Sequence, residues 1–192
     1  MKSKLSSFIA PLLFIFALIS CIDFVDSPYP TLNLKQIHTI SGLARATATS
    51  FVINDKAYIT LGRAGGKDKG SLNDCWQFNP TDSSWTRKSN FPGHSRVGAI
   101  AEVINGKAYV GFGYNTDLFV YASDTTIFSD FWMYDPLFDK WTKKASFPSK
   151  ASSKDVPVNS CSSFTYKKWI YLFAFSAQTH PNNEVWRYNT ED

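Results

Sequence analysis

The stretch Trp76-Gln77-Phe78-Asn79-Pro80 runs on to Trp85-Thr86-Arg87-Lys88 and Phe91-Pro92. The same pattern returns 56 positions later as Trp132-Met133-Tyr134-Asp135-Pro136, Trp141-Thr142-Lys143-Lys144 and Phe147-Pro148. A third copy begins at Trp186-Arg187-Tyr188-Asn189. Repetition with a period near 50 residues is typical of propellers and solenoids, in which each repeat is one supersecondary unit. The repeat therefore decides the fold, and residues that recur in it are expected to build the scaffold.

Four short strands are predicted in each repeat, and no stretch with helical periodicity follows residue 20. The predicted strands are a (46–53 and 97–104), b (56–61 and 107–112), c (75–78 and 131–134) and d (beginning at Trp85 and Trp141). Asn54-Asp55 and Asn105-Gly106 are typical two-residue hairpin turns between a and b. Asn79-Pro80 and Asp135-Pro136 favour type I turns between c and d. The prediction is an all-β fold in which each repeat is a four-stranded propeller blade.

The second repeat also resembles a known sequence family. Its characteristic residues are Arg96, Ile104-Asn105-Gly106-Lys107-Ala108-Tyr109-Val110, Gly113, Asp130-Phe131-Trp132-Met133-Tyr134-Asp135-Pro136, Trp141 and Phe147-Pro148. This set resembles the kelch repeat, and the resemblance implies a kelch-type β-propeller. The blades implied are 45–92, 96–148 and 158–192, about three four-stranded antiparallel blades of an incomplete ring. The match is not complete, because Gly62-Arg63 and Gly113-Tyr114 replace the double glycine of the family and the third repeat is divergent.

The first 20 residues have the layout of a signal peptide, with Lys2 and Lys4 before an apolar stretch over 8–19 and a small residue, Ser20, before Cys21. This apolar stretch is shorter than the roughly 20 residues that span a bilayer. Leu18-Ile19-Ser20-Cys21 resembles the bacterial lipobox, which implies a lipidated cysteine. The alternative is an ordinary cleaved signal followed by an incidental cysteine.

The domain organisation follows from this amino terminus. We expect a lipoprotein signal peptide over 1–20, a tether over 21–33 and kelch repeats over 34–192. The protein would then be exported to the bacterial cell envelope, as an outer-membrane lipoprotein facing the periplasm or the cell surface. Its contact with the membrane would be through the lipid anchor of Cys21 only.

Charge and cysteine content exclude some partners. The formal net charge is +4, and the basic residues are scattered, so no basic run resembles a nucleic-acid footprint. The other two cysteines, Cys75 and Cys161, fall at different positions of different repeats. Buried free thiols are the expected state, and a disulfide in an oxidising compartment is the alternative.

Strand parity predicts where a ligand would bind. In a four-stranded meander, the a–b and c–d turns lie on one side of the blade, and the b–c and d–a connections lie on the other. The second set is long and differs between repeats: 63–73, 114–129, 149–159 and 176–183. We call this side the long-loop face. Variable loops on a rigid scaffold are the usual place for binding.

Six residues on this face are candidate ligand contacts: Arg45, Arg96, Tyr114, Asp117, Tyr121 and Asp124. The two arginines begin strand a, where they would clamp an anionic ligand by bidentate hydrogen bonds or, alternatively, bind carbonyl groups of neighbouring blades. Aromatic and acidic residues interleaved over 114–129 suit a carbohydrate or a peptide. The alternative is a loop that packs its own aromatic side chains on the blade.

Catalytic motifs are missing from the sequence. His38, His94 and His180 occupy unrelated positions, and there is no HExxH, P-loop, GxSxG or paired-cysteine zinc spacing. No catalytic residue, metal site or cofactor is therefore predicted. Asp74, Asp130 and Glu184 each precede a strand-c tryptophan by two positions, and recurrence favours a role in local turn chemistry.

Two functional hypotheses follow. The first is a lipid-anchored binding or scaffold module that recognises a glycan or a protein through the long-loop face. The alternative is a carbohydrate-active enzyme, because some kelch propellers are sugar oxidases or sialic-acid mutarotases, although no residue here can be matched to their sites. About three blades leave a ring open, so either further repeats or self-association is expected to complete it.

Overall fold

The two copies of the tryptophan pattern each lie in a four-stranded antiparallel sheet. The computed structural model describes residues 35–37, 39–66, 70–115, 126–147, 161–176 and 180–191. The chain divides into Met1–Gln36 and Ile37–Asp192, and the strands of the described residues belong to the second unit. No α-helix occurs in the described ranges, and none of their segments forms a helix that would cross a membrane.

Three sheets are blades, and they contain the longer strands. Blade 1 consists of β2 (Thr49–Ile53), β3 (Lys56–Thr60), β6 (Cys75–Asn79) and β7 (Ser84–Lys88), in that spatial order. Blade 2 consists of β8 (Ile100–Ile104), β9 (Lys107–Gly111), β12 (Phe131–Asp135) and β13 (Lys140–Lys144). Blade 3 consists of β14 (Cys161–Tyr166), β15 (Trp169–Ser176) and β16 (His180–Asn189).

Short two-residue strands form two small ribbons beside the blades. They are β1 (Arg45–Ala46), β4 (Arg63–Ala64) and β5 (Gly70–Ser71) in one ribbon, and β10 (Tyr114–Asn115) and β11 (Thr126–Ile127) in the other. The architecture is all-β and made of propeller blades, so the predicted fold class is confirmed.

The predicted turns set the register of the blades. Asn54 and Asp55 both have positive φ (49° and 58°), as a two-residue hairpin of the primed type requires. This turn pairs Ile53 with Lys56 and, further along, Phe51 with Tyr58. Burial alternates along Thr49–Ile53, so one side of the strand faces a neighbouring blade and the other does not.

The first strand of each blade begins later than predicted. It starts at Thr49 and Ile100 instead of residues 46 and 97. Positive φ at Thr47 (51°) and Gly98 (66°) interrupts the extended backbone before these strands. The residues ahead of the interruption pair with the b–c connection of the same blade, as Arg45 does with Ala64.

The blades pack through their first strands and through aromatic residues. β2 contacts β8, β8 contacts β14, and Thr49 Oγ1 donates a hydrogen bond of 2.9 Å to the carbonyl of Ala99. Tyr134 of blade 2 is completely buried against the ring pair Phe51 and Tyr58 of blade 1. The first strands of the blades are therefore among the elements on which successive blades meet.

Trp141 is an inter-blade residue, in keeping with the scaffold role expected of recurring residues. Its indole Nε1 donates to the carbonyl of Ser89 at 2.9 Å, and its ring meets Phe91 edge to face. Trp85, its counterpart in blade 1, is half-buried, and within the described structure its indole N–H has no acceptor. The equivalent tryptophans thus have different environments, although their sequence contexts are nearly the same.

Candidate functional site

The b–c connections leave the blades as ribbons on a single side. In blade 1, Arg63–Ala64 pairs both with Arg45–Ala46 and with Gly70–Ser71. In blade 2, Tyr114 forms a bridge to Val97 and pairs with Ile127. The start of each first strand therefore lies beside the b–c connection of its own blade, which is the arrangement that strand parity predicts for the long-loop face.

A two-residue bend turns the chain into each ribbon. Leu61 and Phe112 have φ of 62°, and the glycine that follows each of them also has positive φ. A Cβ on Gly113 would collide with the carbonyl of Val97, so a close backbone approach requires glycine there. The first glycine of the kelch pair is therefore needed here, because the bend requires positive φ and leaves no room for a side chain.

Arg96 lies beneath this face in a fully enclosed position. Its Nε donates to the carbonyl of His94 at 2.9 Å, and its Nη1 donates to the carbonyl of Phe112 at 3.1 Å. Nη1 and Nη2 also bind the two carboxylate oxygens of Asp130. The guanidinium carbon lies 5.0 Å from the ring centre of Phe91 and 4.0 Å from that of Phe128. Charge, hydrogen bonds and two ring faces therefore all hold this side chain within the blade.

Arg45 repeats the same geometry in blade 1. Its Nε donates to the carbonyl of Leu43 at 3.1 Å, and Nη1 donates to the carbonyl of Leu61 at 3.2 Å. The two Nη atoms bind Asp74 at 2.6 and 2.8 Å. Its side chain is only 2% exposed. Two independent repeats thus build one arginine–aspartate pair at the same place.

Each aspartate also accepts the indole N–H of the tryptophan two positions later, at 2.7 Å in both blades. Burial alone would raise the pKa of the Asp74 carboxyl, but the hydrogen bonds from Arg45 and Trp76 outweigh it and lower that pKa. The pKa of Asp130 is lowered in the same way by Arg96 and Trp132, against its burial. Both carboxylates therefore remain ionised and act as anchors for their arginine and tryptophan partners.

This arrangement changes the interpretation of two predicted features, the recurring aspartates and the two arginines. Recurrence predicted turn chemistry for the aspartates, whereas their main partners are an arginine about 30 positions away and an indole. For the arginines, the geometry favours the structural alternative, in which they bind groups of the blades. Most of the N–H donors of both arginines bind acceptors within their own blades. Neither arginine directs a pair of donors outward, and the clamp for an anionic ligand stays a prediction.

The other predicted contact residues fall in the loop of blade 2. Tyr114 is half-buried at the base of the ribbon, where its backbone exchanges hydrogen bonds with Val97 at 2.9 and 3.0 Å. Asp117, Tyr121 and Asp124 lie outside the described residues, as does Cys21. Their roles as ligand contacts and as the lipidation site therefore stay predictions.

Three side chains on this face were not predicted from sequence: His94, Phe128 and Arg63. His94 is exposed, and its ring stacks on that of Phe128 with centroids 5.5 Å apart. Arg63 is exposed on the ribbon of blade 1. The amide of Gly62 donates to the carbonyl of Arg96 at 2.9 Å, which brings the ribbon of blade 1 to the start of blade 2. The sequence feature that could have identified them is their position, since His94 lies in a d–a connection and Arg63 and Phe128 lie in b–c connections.

The exposed Arg63 and His94 lie on connections of the long-loop face and carry groups that suit an anionic, ring-shaped ligand. A guanidinium can donate two parallel hydrogen bonds to a carboxylate, and an imidazole can both donate and accept a hydrogen bond. The exposed His94 ring offers a flat surface to a sugar, whereas the Phe128 ring is already covered by His94 and by the guanidinium of Arg96. Among the described residues, no group of three or more histidine, cysteine, aspartate or glutamate side chains is placed to hold a metal ion.

Comparison with known proteins connects this scaffold to carbohydrate chemistry. The chain is 30% identical over 152 residues to an N-acetylneuraminate epimerase of Yersinia enterocolitica, a match that covers 76% of this chain and 34% of the relative. It is 32% identical over 105 residues to the protein of the same name from Escherichia coli K12, covering 52% of this chain and 25% of that protein. No protein-family model matches the chain.

A solved structure supports the fold independently. The structure of YjhT, a β-propeller, aligns with a TM-score of 0.55 at 20% sequence identity, covering 67% of this chain and 44% of that one. The chain spans about a third of the length of the first curated relative it matches and a quarter of others. Most of the length of each relative therefore lies outside the part that aligns with this chain.

Proposed function

We propose that this chain, which is a kelch-repeat protein of the β-propeller fold, acts in the epimerisation of N-acetylneuraminate or a closely related acidic sugar. The observation that carries this proposal is its similarity to N-acetylneuraminate epimerases from several bacteria. This function corresponds to the carbohydrate-enzyme hypothesis, which the relatives favour over a pure binding module.

The long-loop face supplies groups that such a substrate needs. N-acetylneuraminate carries a carboxylate, and we assign its recognition to the exposed Arg63. Arg45 and Arg96 would act indirectly, because their pairing with Asp74 and Asp130 holds the bases of both ribbons. The sugar ring would lie against the exposed His94, which the Phe128 ring supports from beneath.

His94 is the side chain to which we assign proton transfer. Opening the ring takes a proton from the anomeric hydroxyl and delivers one to the ring oxygen. Re-closing on the other face of the carbonyl reverses both transfers, so a side chain that accepts and donates protons can assist both steps. His94 is exposed and is held against the Phe128 ring, which itself covers the guanidinium of Arg96. Its position is thus fixed by the blade while its edge remains accessible.

The direct test is an NMR assay that starts from N-acetylneuraminate enriched in one epimer. The protein is expected to bring the two epimers to equilibrium faster than buffer does. His94→Asn should lower the rate, with the larger effect on kcat, and Arg63→Gln should mainly raise KM. Lys140→Gln is the matched control, because Lys140 is exposed beside a c–d turn on the opposite side of blade 2.

Two results would overturn the proposal in different ways. A folded protein that neither binds the sugar nor changes its epimer ratio would exclude this substrate class. Saturable binding without any change in the epimer ratio would instead favour the glycan-binding module. Saturation-transfer NMR on the same samples separates these outcomes.

We also propose export and anchoring through Cys21 of the lipobox-like segment Leu18–Cys21. A thioether-linked lipid together with an acyl chain would provide the two anchors that stable attachment needs. Cys21→Ser should abolish metabolic labelling with palmitate and release the protein from the membrane fraction. Labelling that survives this substitution would show that the cysteine is incidental.

A further inference from the structure

Two separate contacts lead from the buried Arg96 to the exposed His94. The Nε of Arg96 donates a 2.9 Å hydrogen bond to the carbonyl of His94, which holds the main chain at that residue. The guanidinium carbon lies 4.0 Å from the ring centre of Phe128, and the His94 ring stacks on this same ring at an angle of 16°. Arg96 therefore contacts the backbone of His94 directly and its imidazole through Phe128.

The glycine before His94 brings the backbone close to the arginine. A Cβ on Gly93 would lie 2.9 Å from Nη2 of Arg96 and 2.6 Å from the Phe91 ring. The main chain that carries His94 thus packs on the guanidinium without an intervening side chain. The Arg96 side chain is itself completely buried and is bound by both carboxylate oxygens of Asp130. An exposed imidazole is therefore built on a buried and fixed support.

Blade 1 builds the same backbone without an imidazole. The Nε of Arg45 donates at 3.1 Å to the carbonyl of Leu43, and an added Cβ on Gly42 would lie 3.0 Å from Nη2 of this arginine. Leu43 therefore stands where blade 2 has His94. The arginine–carbonyl bond is thus part of the scaffold, and the side chain that it presents differs between the blades.

The residue beneath that side chain differs in the same way. The amide of Phe128 donates at 2.9 Å to the carbonyl of Gly113, and the amide of Leu72 donates at 2.8 Å to that of Gly62. Leu72 is thus the counterpart of Phe128. Because blade 1 forms this arrangement with two leucines, the fold of a blade does not require the stacked pair of blade 2. Residues that differ on a common scaffold are the usual carriers of function.

We propose that Arg96 is a positioning residue for His94, which it holds in one orientation on the long-loop face through the carbonyl bond and through Phe128. This role rests on the proton transfer proposed for His94. An exposed side chain has several staggered rotamers available, and stacking on a fixed ring selects among them. Proton transfer needs the imidazole within hydrogen-bond reach of the substrate, so a misplacement of about 1 Å can cost on the order of 100-fold in rate. Arg96 would thus affect kcat without touching the sugar.

The kinetic test compares Arg96→Lys with Arg45→Lys. Both changes keep a positive charge beside an aspartate and remove the Nε donor and the planar guanidinium. Only Arg96→Lys releases His94, so kcat should fall at least about tenfold while KM changes little. Arg45→Lys should instead act on KM, because the ribbon that Arg45 holds carries Arg63. Equal losses of kcat in the two variants would overturn the positioning role.

A second measurement does not depend on catalysis. In the full chain, held in detergent and labelled with 13C-histidine, the His94 signal is the one that His94→Asn removes, and stacking on Phe128 should shift its ring protons upfield. Arg96→Lys should move this signal toward that of a free imidazole, whereas Arg45→Lys should not. An unchanged signal in folded Arg96→Lys would overturn the proposal. An inactive wild type whose signal responds as expected would overturn the proposed function and support the positioning role.

Substitutions of Phe128 keep the test decisive if Arg96→Lys does not fold. Phe128→Leu introduces the residue that blade 1 has at this place, so the blade should accept it, and kcat should fall because the imidazole loses its support. Phe128→Tyr keeps the ring and should lower kcat much less. A kcat of Phe128→Leu equal to that of the wild type would overturn the proposal.

Discussion

The indole Nε1 of Trp141 donates a 2.9 Å hydrogen bond to the backbone carbonyl of Ser89 in the preceding blade. This bond joins the outer strand of blade 2 to the end of the outer strand of blade 1. Neither tyrosine nor phenylalanine has a donor at the same place, so this position of blade 2 favours tryptophan. Inter-blade stability therefore depends on particular polar contacts as well as on aromatic packing.

Replacing Trp141 by phenylalanine should destabilise the protein more than the same change at Trp85. Both substitutions remove similar ring area, but only Trp141→Phe breaks a hydrogen bond and leaves a carbonyl unpaired. We expect an additional loss of about 1–2 kcal/mol in the free energy of unfolding. Denaturant unfolding of the two variants measures the difference, and equal midpoints would contradict the role assigned to this bond.

The buried pair Arg96–Asp130 should contribute far more than an exposed ion pair. Asp130→Asn leaves a buried guanidinium without its counter-charge, and because the Asp130 side chain is 20% exposed we expect a loss somewhat under the roughly 3–5 kcal/mol of a fully buried pair. Glu191→Gln is the comparison, because its pair with Lys168 is exposed and should be worth at most about 1 kcal/mol. Thermal and denaturant unfolding would reveal the contrast, which similar effects of the two changes would disprove.

Acid should weaken the protein through Asp74 and Asp130. The folded structure lowers the pKa of both carboxyl groups, so the unfolded chain binds protons more readily than the native one. The stability from these pairs is complete above the unfolded pKa of about 4 and is lost as the pH falls through the lower native values. Unfolding midpoints measured from pH 6 to pH 3 should decline less steeply in Asp130→Asn, and an unchanged slope would exclude this linkage.

Gly113→Ala should be more damaging than Gly106→Ala. Both glycines have positive φ, at 83° and 71°, so both changes carry the cost of a left-handed alanine, on the order of 1 kcal/mol. Only at Gly113 would the new Cβ collide with the carbonyl of Val97, whereas nothing lies within 4 Å of it at Gly106. We expect a clearly larger loss in the free energy of unfolding for Gly113→Ala, measured by denaturant unfolding. Sugar binding should also be weaker in this variant, because the bend begins the b–c ribbon. Equal effects of the two substitutions would show that the bend tolerates a side chain.

Much of the blade was predictable because local chemistry repeats. Asn54-Asp55 and Asn105-Gly106 favour positive φ, and positive φ at these sites sets the a–b register in both blades. The aromatic spacing of the tryptophan pattern places Trp85 and Trp141 on the outer strands. These features depend on residues a few positions apart, so a single repeat contains the information.

The candidate site was harder to predict because its contacts join distant parts of the chain. Nothing in the spacing of Arg96 and Asp130, 34 positions apart, indicates a bidentate pair until strands b and c bring them together. His94 seemed isolated as a sequence position, and its stacking on Phe128 results from the adjacency of the d–a and b–c connections.

By itself the sequence determined the repeat unit, the strand order and the side of the blade on which the long loops emerge, since these follow from turn residues and from periodicity along the chain. Only the tertiary structure decided that Arg45 and Arg96 bind carboxylates inside the blades and that equivalent aromatic residues are covered in one blade and open in another. The physical reason is that burial and charge pairing depend on which blade lies next to which. A repeated motif does not encode that difference, because its residues are similar in both full copies whichever blade lies beside them.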